Sequence, residues 1–191
     1  MSNLDVEFLR RLSALEREVS RLAKPEIFPT GRLLIDTNGY ISAAVQPLVS
    51  AYCSANVLNV TGDGTLYTVI FDAEITDRDG NYNAGTGVFT APVTGYYLVL
   101  PRVLLYGLVV THTTSYLQIA SSNRSYYGDF KSIGIVMDVS GYADAQMSQI
   151  VDMDIGDQLY IAALVSGAAG KVVDLYGAAS VYTSLGIYLL P

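Results

Sequence analysis

The sequence predicts an all-β sandwich behind a single N-terminal helix. After Pro25, short runs rich in Val, Ile, Tyr and Thr are separated by Gly, Asn and Asp. Many short strands with no helices between them are typical of a sandwich or jelly roll of about ten strands. Before Pro25, apolar residues recur in alternating steps of four and three, which is the spacing of a helix with one buried seam.

Residues 1–24 have the heptad pattern of a coiled-coil stalk. Arg11 lies at a g position and Glu16 five residues on at an e position, where opposite charges on neighbouring parallel chains pair. The run from Arg11 to Glu16 resembles a signature of short trimeric coiled coils. A helix packed on its own domain is the alternative, but Lys24-Pro25 ends the helix. We therefore predict a homotrimer, with a trimerisation seam of Phe8, Arg11, Leu12, Leu15, Glu16, Val19 and Leu22.

The domain organisation follows from composition. Residues 25–48 contain Pro25, Pro29, Gly31 and Pro47 and are predicted to connect the stalk to a head of residues 49–191. At the start of the stalk, Asp5 occupies a seam position, while Leu4 and Leu9 lie off the seam. Because Leu4 and Leu9 are apolar but lie outside the seam, we predict that they dock onto another protein.

Charge narrows the class of partner. Residues 1–32 carry six Lys and Arg against five Asp and Glu, whereas residues 33–191 carry five against thirteen. An acidic head argues against nucleic acid and anionic membrane as partners, because both need clustered basic residues. No segment has the pattern of a signal peptide, and one cysteine, Cys53, allows no intrachain disulfide. We expect a protein made in a cytoplasm.

The head is predicted to contain strands at residues 33–45, 49–60, 66–71, 96–106, 115–120, 133–139, 148–153, 158–165 and 181–190. In the run 96–106, Tyr96, Leu98 and Leu100 present one face, and Tyr97 and Val99 present the other. Because both faces are apolar, one is expected to face the core and the other a partner subunit. Pro101 interrupts this run, which predicts a bulge or an edge.

Residues that could carry chemistry are few. Asp77 and Asp79 begin a calcium-like loop, but Val88 stands where an EF-hand needs a bidentate Glu, so a hairpin turn is the main interpretation. His112 is predicted to face solvent in a loop, with a three-histidine metal site on a trimer axis as the alternative. Cys53 is expected to be a small buried residue. No catalytic pattern is present, so we predict no enzyme, no cofactor and no metal site.

Several segments together resemble a known family. They are Phe71-Asp72-Ala73, Gly80-Asn81-Tyr82-Asn83, the run from Thr86 to Tyr97, and the strands at residues 151–161 and 180–190. The run from Thr86 to Tyr97 is similar to the Thr-Gly-x-Phe-Thr-x-Pro-x-x-Gly-x-Tyr pattern of the globular head domain of the complement first component, a tumour-necrosis-factor-like jelly roll. This resemblance implies a jelly roll that trimerises around a threefold axis. Ala91 stands where many members have Cys, and there is no collagen repeat.

Function is predicted at the level of architecture. The first hypothesis is a virion component of a bacteriophage, made in the host cytoplasm: a head fibre, decoration protein or tail-associated spike anchored on a capsid or tail protein. The second is a secreted or surface bacterial adhesin, and the third is an intracellular scaffold. Asn123, Arg124, Tyr126 and Tyr127 lie in a predicted exposed loop and are candidates for contact with host glycan. A solvated turn is the alternative for that loop.

Overall fold

The computed structural model describes residues 11–17, 34–35, 41–42, 46–132 and 138–190. The chain divides into two compact units, Met1–Gln46 and Pro47–Pro191. In the first, residues 11–17 form helix α1, in which Leu12 is 43% and Leu15 62% exposed.

Within the described ranges, no helix is long and apolar enough to cross a membrane. The other predicted stalk residues lie outside those ranges: Leu4, Phe8, Leu9, Val19 and Leu22.

The first unit also contains a strand pair. Strands β1 (Leu34–Ile35) and β2 (Ile41–Ser42) pair antiparallel, within the segment that we predicted as one strand over residues 33–45.

The second unit is built from two antiparallel sheets. The eight-stranded sheet contains β3 (Leu48–Tyr52), β4 (Val57–Thr61), β6 (Ala73–Asp77), β9 (Gly95–Tyr106), β12 (Ala143–Gln146), β13 (Gln149–Met153), β15 (Val173–Leu175) and β16 (Ser184–Leu189). The six-stranded sheet contains β5 (Tyr67–Thr68), β7 (Tyr82–Asn83), β8 (Val88–Thr90), β10 (Ser115–Ser121), β11 (Ser125–Lys131) and β14 (Gln158–Val165).

The core combines inward side chains from both sheets. Phe89 of the six-stranded sheet and Tyr97 of the eight-stranded sheet are fully buried, with ring centroids 5.5 Å apart in an edge-to-face arrangement. The Tyr97 hydroxyl donates a hydrogen bond to the Val93 carbonyl oxygen at 2.7 Å, so its polar end is satisfied. Phe89 therefore points into the core.

Strand β9 is the centre of the eight-stranded sheet, and Pro101 does not break it. One edge of β9 pairs with β16 and β15, and the other edge pairs with β12 and β13. The interruption lies in the neighbouring strand instead: β12 ends opposite Arg102, and β13 begins opposite Val99 in unchanged register. A proline has no N–H to offer a neighbour. The predicted bulge or edge at Pro101 is wrong, and the gap beside it is at Met147 and Ser148, between β12 and β13.

Several predicted strand boundaries were wrong. The predicted strand 49–60 is two strands, β3 and β4, because the chain turns at Ser54, whose N–H and hydroxyl both donate to the Asp72 carboxylate at 2.7 and 2.5 Å. Strand β11 begins at Ser125, inside the segment that we predicted as an exposed loop. Strands β6, β7, β8, β12 and β15 were not predicted from the sequence. Most of the predicted strand 133–139 lies outside the described residues.

Gly87 lies in the turn between β7 and β8 and has a positive φ of 75°. A Cβ atom there would lie 2.7 Å from the Val69 carbonyl oxygen, so a side chain would obstruct the backbone. Gly95 begins β9 and faces the side chain of Leu189.

Candidate interaction surfaces

The outward face of the eight-stranded sheet is apolar along the first half of β9, from Tyr96 to Leu100, and beyond it Arg102 forms an ion pair with Asp144. Buried residues alternate with outward ones, as predicted: Tyr97 and Val99 have no exposed surface, whereas Tyr96 is 63% exposed and Leu98 is partly exposed. Contact with water is unfavourable for an apolar surface. A strand that is apolar on both faces is therefore expected to bury one face in the core and the other against a partner. The described residues of this chain leave that outward face open.

Neighbouring strands widen this apolar face. Leu98 lies directly opposite Ile150 of β13 on one side and Tyr188 of β16 on the other. Paired residues of adjacent strands share a face, so these side chains and Tyr96 and Leu100 form one surface, which we call the sheet patch. Ile150 is 52% exposed and Tyr188 40%. The sequence analysis missed both residues, although each occupies an outward position in the alternation of its own strand.

A row of four tyrosines lies beyond the sheet patch. Tyr106, at the end of β9, contacts Tyr142 with ring centroids 4.8 Å apart, and Tyr142 contacts Tyr176 at 5.7 Å. Tyr176 in turn contacts Tyr182 at 5.3 Å. Tyr106 and Tyr182 are 37% and 41% exposed, so the aromatic surface continues to this end of the sheet.

The predicted glycan-contact residues lie at the hairpin between β10 and β11, and most of their polar groups are already occupied. The Asn123 amide donates to Asp157 at 2.8 Å, and the Arg124 guanidinium forms an ion pair with Asp152 at 2.7 Å. The Tyr126 hydroxyl donates to the same Asp152 carboxylate at 3.1 Å. Burial and this hydrogen bond raise the pKa of Tyr126. The polar groups of these residues fix the hairpin to β13 and the turn that follows it.

Tyr127 is separated from that group, because its ring lies on the outward face of the six-stranded sheet. It is 53% exposed and meets Tyr116 edge to face, with ring centroids 5.6 Å apart. The predicted recognition residues therefore divide between two locations. Alternation along β11 could have shown this, since Tyr126 and Tyr127 must point to opposite faces once the segment is a strand.

The Asp77 loop is a hairpin turn, as the main interpretation predicted. The two carboxylate oxygens of Asp77 accept hydrogen bonds from the N–H groups of Asn81 and Tyr82, at 3.1 and 2.9 Å. Asp79 has a left-handed backbone conformation, with φ of 70°. The Asp77 carboxylate thus closes its own turn. Over the described ranges, no group of three or more potential metal-binding side chains comes together.

His112 is buried, in contrast to the solvent-facing loop position that we predicted. Only 2% of it is exposed, and its Nδ1 accepts a hydrogen bond from the Val109 N–H at 2.9 Å. Its Nε2 is buried without a partner in the part of the chain that the structure describes.

Cys53 is buried, as predicted, and its thiol donates to the Ile70 carbonyl oxygen. Burial, together with the nearby Asp72 carboxylate, raises the pKa of the thiol to about 12. Because the thiolate is the reactive form, Cys53 is an inert packing residue at neutral pH.

Comparisons with known proteins agree with this geometry. The globular domain of zebrafish complement 1qA is similar over 76% of this chain and 98% of its own, with a TM-score of 0.52 and 16% identity. Murine APRIL, in a crystal structure at pH 5.0, is similar over 76% of this chain and 99% of its own, with a TM-score of 0.51 and 16% identity. No curated protein sequence matches the chain.

At these identities, the two structures establish the jelly-roll fold alone. The family assignment comes from the sequence itself, because the family model described as "C1q domain" matches residues 53–183, more than half of the chain. This confirms the resemblance that the run from Thr86 to Tyr97 suggested. C1q and tumour-necrosis-factor-like domains are generally non-enzymatic modules that bind ligands and typically form homotrimers. The chain belongs to the C1q domain family.

Proposed function

We propose that this chain is a homotrimeric, non-enzymatic recognition module. The observation that carries the proposal is the sheet patch, an apolar outward surface around Leu98 on a domain that is otherwise rich in acidic residues. An exposed apolar patch of this kind marks an interaction surface, and obligate interfaces bury roughly 2,000 Å² or more. A second copy of the same chain supplies such a surface, and trimers are typical of the family.

Helix α1, which belongs to the first unit, also favours a trimer. Leu12 and Leu15 are exposed in the single chain, at positions that a parallel coiled coil would bury. We expect the head to supply most of the association energy, because a heptad segment of residues 1–24 is short.

The oligomeric state tests this proposal directly. Multi-angle light scattering at micromolar concentration should give about three times the 20.6 kDa chain mass. A chain lacking residues 1–24 should remain a trimer, since the sheet patch is intact. Leu15→Asp should also remain a trimer, although it places a charge in the heptad seam. A monomeric or dimeric full-length chain would contradict the proposal, and dissociation of the truncated chain would contradict the leading role of the head.

Within this class we propose a bacteriophage virion component that is anchored through its N-terminal segment. The support is the combination of a heptad segment with an acidic β head, and the off-seam residues Leu4 and Leu9, which suit docking onto a capsid or tail protein. A bacterial surface adhesin with the same head is the second candidate.

Purified phage particles should retain the full-length chain and lose a chain lacking residues 1–9, as measured by immunoblot of particles isolated on density gradients. Retention of the shortened chain would contradict docking through Leu4 and Leu9. Finding the protein on the bacterial surface and not in particles would favour the adhesin.

A further inference from the structure

The outward face of the six-stranded sheet carries no charge. The outward positions of β8, β10, β11 and β14 hold aromatic, amide, hydroxyl and small apolar side chains, and none of them is Asp, Glu, Lys or Arg. The two charged residues of β11, Asp129 and Lys131, form an ion pair and contact β12, away from this face. In a head with a large excess of acidic residues, such a surface suits a neutral ligand.

Gln118 lies at the centre of this face with an unsatisfied oxygen. It is only 5% exposed and lies directly opposite Tyr127 of β11 and Ala162 of β14. Its amide nitrogen donates to the Ser125 hydroxyl at 2.9 Å and lies 3.4 Å from the Tyr127 hydroxyl. Its Oε1 is buried and has no donor among the described residues. A buried acceptor without a donor is costly, and a ligand hydroxyl could supply the missing hydrogen bond.

Aromatic rings border Gln118 on one side. Tyr116 contacts both Tyr127 and Phe130, with ring centroids 5.6 and 5.3 Å apart. Tyr127 and Phe130 are 53% and 63% exposed, which is unusual for rings packed against one another. Rings held at a surface in this way present flat apolar area to a ligand at small entropic cost, since the neighbouring rings already restrict their rotation.

A cleft opens at the β7–β8 end of the same sheet. Its volume is about 820 Å³, and Asn81, Asn83, Thr86, Thr90 and Gln158 are among its lining residues. The side chains of Thr86, Thr90 and Gln158 make no hydrogen bond within the described part of the chain. Thr90 lies opposite Gln158, and Tyr160 follows on the outward face of β14, so the cleft leads toward Gln118. Amide and hydroxyl groups without internal partners can bind the hydroxyl groups of a ligand.

We propose that the outward face of the six-stranded sheet binds a neutral saccharide chain. Sugar rings would stack on Tyr127 and Phe130, and their hydroxyl groups would bond to Gln118 and to the amides and hydroxyls of the cleft. This inference rests on the proposed recognition function and names its ligand class. The sheet patch lies on the other sheet, so trimer formation would leave the saccharide face open.

Affinity electrophoresis of the full-length protein tests the inference, in native gels that contain dextran, galactomannan or mixed-linkage β-glucan. We expect at least one neutral polysaccharide to retard the wild-type protein and anionic alginate to leave it unretarded. The double variant Tyr127→Ala/Phe130→Ala should raise the dissociation constant roughly tenfold or more. Ile75→Ala is the matched control, because Ile75 is 60% exposed on the other sheet and should bind as the wild type does.

Gln118→Leu separates recognition from folding. It removes the unsatisfied oxygen, so the melting temperature should stay within a few degrees of the wild type while polysaccharide binding weakens. Full binding by the double variant or by Gln118→Leu would overturn the inference, as would a wild-type protein that none of the three neutral polysaccharides retards. Light scattering on the same samples distinguishes the two proposals: a trimer that binds no neutral polysaccharide would overturn only the saccharide site, and a monomer that binds one would overturn only the trimer.

Discussion

Leu98→Asp should convert the proposed trimer into monomers. Leu98 lies between Ile150 and Tyr188 at the middle of the sheet patch, so each trimer would bury three carboxylates without partners. Burying an unpaired charge costs several kcal/mol per site. Light scattering should therefore report the 20.6 kDa chain mass, and far-ultraviolet circular dichroism should retain the β signature of the fold.

Phe130→Asp is the matched control for this experiment. Phe130 is a similarly apolar residue with 63% exposure, but it lies on the six-stranded sheet, and the variant should remain trimeric. If Leu98→Asp were still a trimer, the sheet patch would not be the interface. If both variants dissociated, the effect would be one of added charge and not of position.

Gly167→Ala should cause a large loss of stability. Gly167 has φ of 114°, which side chains rarely adopt, and a Cβ atom there would lie 2.5 Å from the Thr111 carbonyl oxygen. Backbone strain and the forced shift of the residues around His112 each cost about 1–3 kcal/mol. We expect the free energy of unfolding to fall by roughly 3–5 kcal/mol, measured by urea denaturation.

Gly170→Ala provides the control within the same loop. No atom lies within 4 Å of its added Cβ, and Gly170 does not have the left-handed conformation. Its stability should stay within about 0.5 kcal/mol of the wild type or rise slightly, because alanine restricts the unfolded chain. Equal losses in the two variants would mean that the loop as a whole, and not the contact with Thr111, determines the effect.

The sequence predicted the strands whose pattern is uninterrupted. Strand β14 matches its predicted bounds, 158–165, and β9 begins one residue before its predicted start at Tyr96, since both have long apolar alternations. Strand β11 was missed because Ser122-Asn123-Arg124 reads as a polar loop, and only its pairing with β10 makes the residues after it a strand. Strand β6 was missed for a similar reason, because its acidic residues lower the apolar signal.

The sequence predicted one part of the interaction surface and left out the parts that depend on distant contacts. Alternation along β9 was sufficient to place Leu98 on the opposite face from Tyr97 and Val99, and the structure shows that the face of Leu98 is the outward one. The positions of Ile150 and Tyr188 beside it depend on pairing between strands far apart in the chain, which no local pattern records. The burial of His112 has the same origin, since its loop is held against a distant one, in which the Ser166 carbonyl oxygen accepts a hydrogen bond from the Thr113 N–H at 2.9 Å.

The break opposite Pro101 has a consequence for solubility. Strands β12 and β13 pair with β9 on one side. On the other side, β12 is partly covered by β11, because Lys131 donates to the Asp144 carbonyl oxygen and the Gln146 N–H donates to the Asp129 carboxylate. A long free strand edge can recruit a strand from another molecule and start aggregation. Here the edge is divided into segments of four and five residues with Met147 and Ser148 between them. An incoming strand therefore meets a short, discontinuous ladder. This gap would favour assembly through side chains over uncontrolled growth through the backbone.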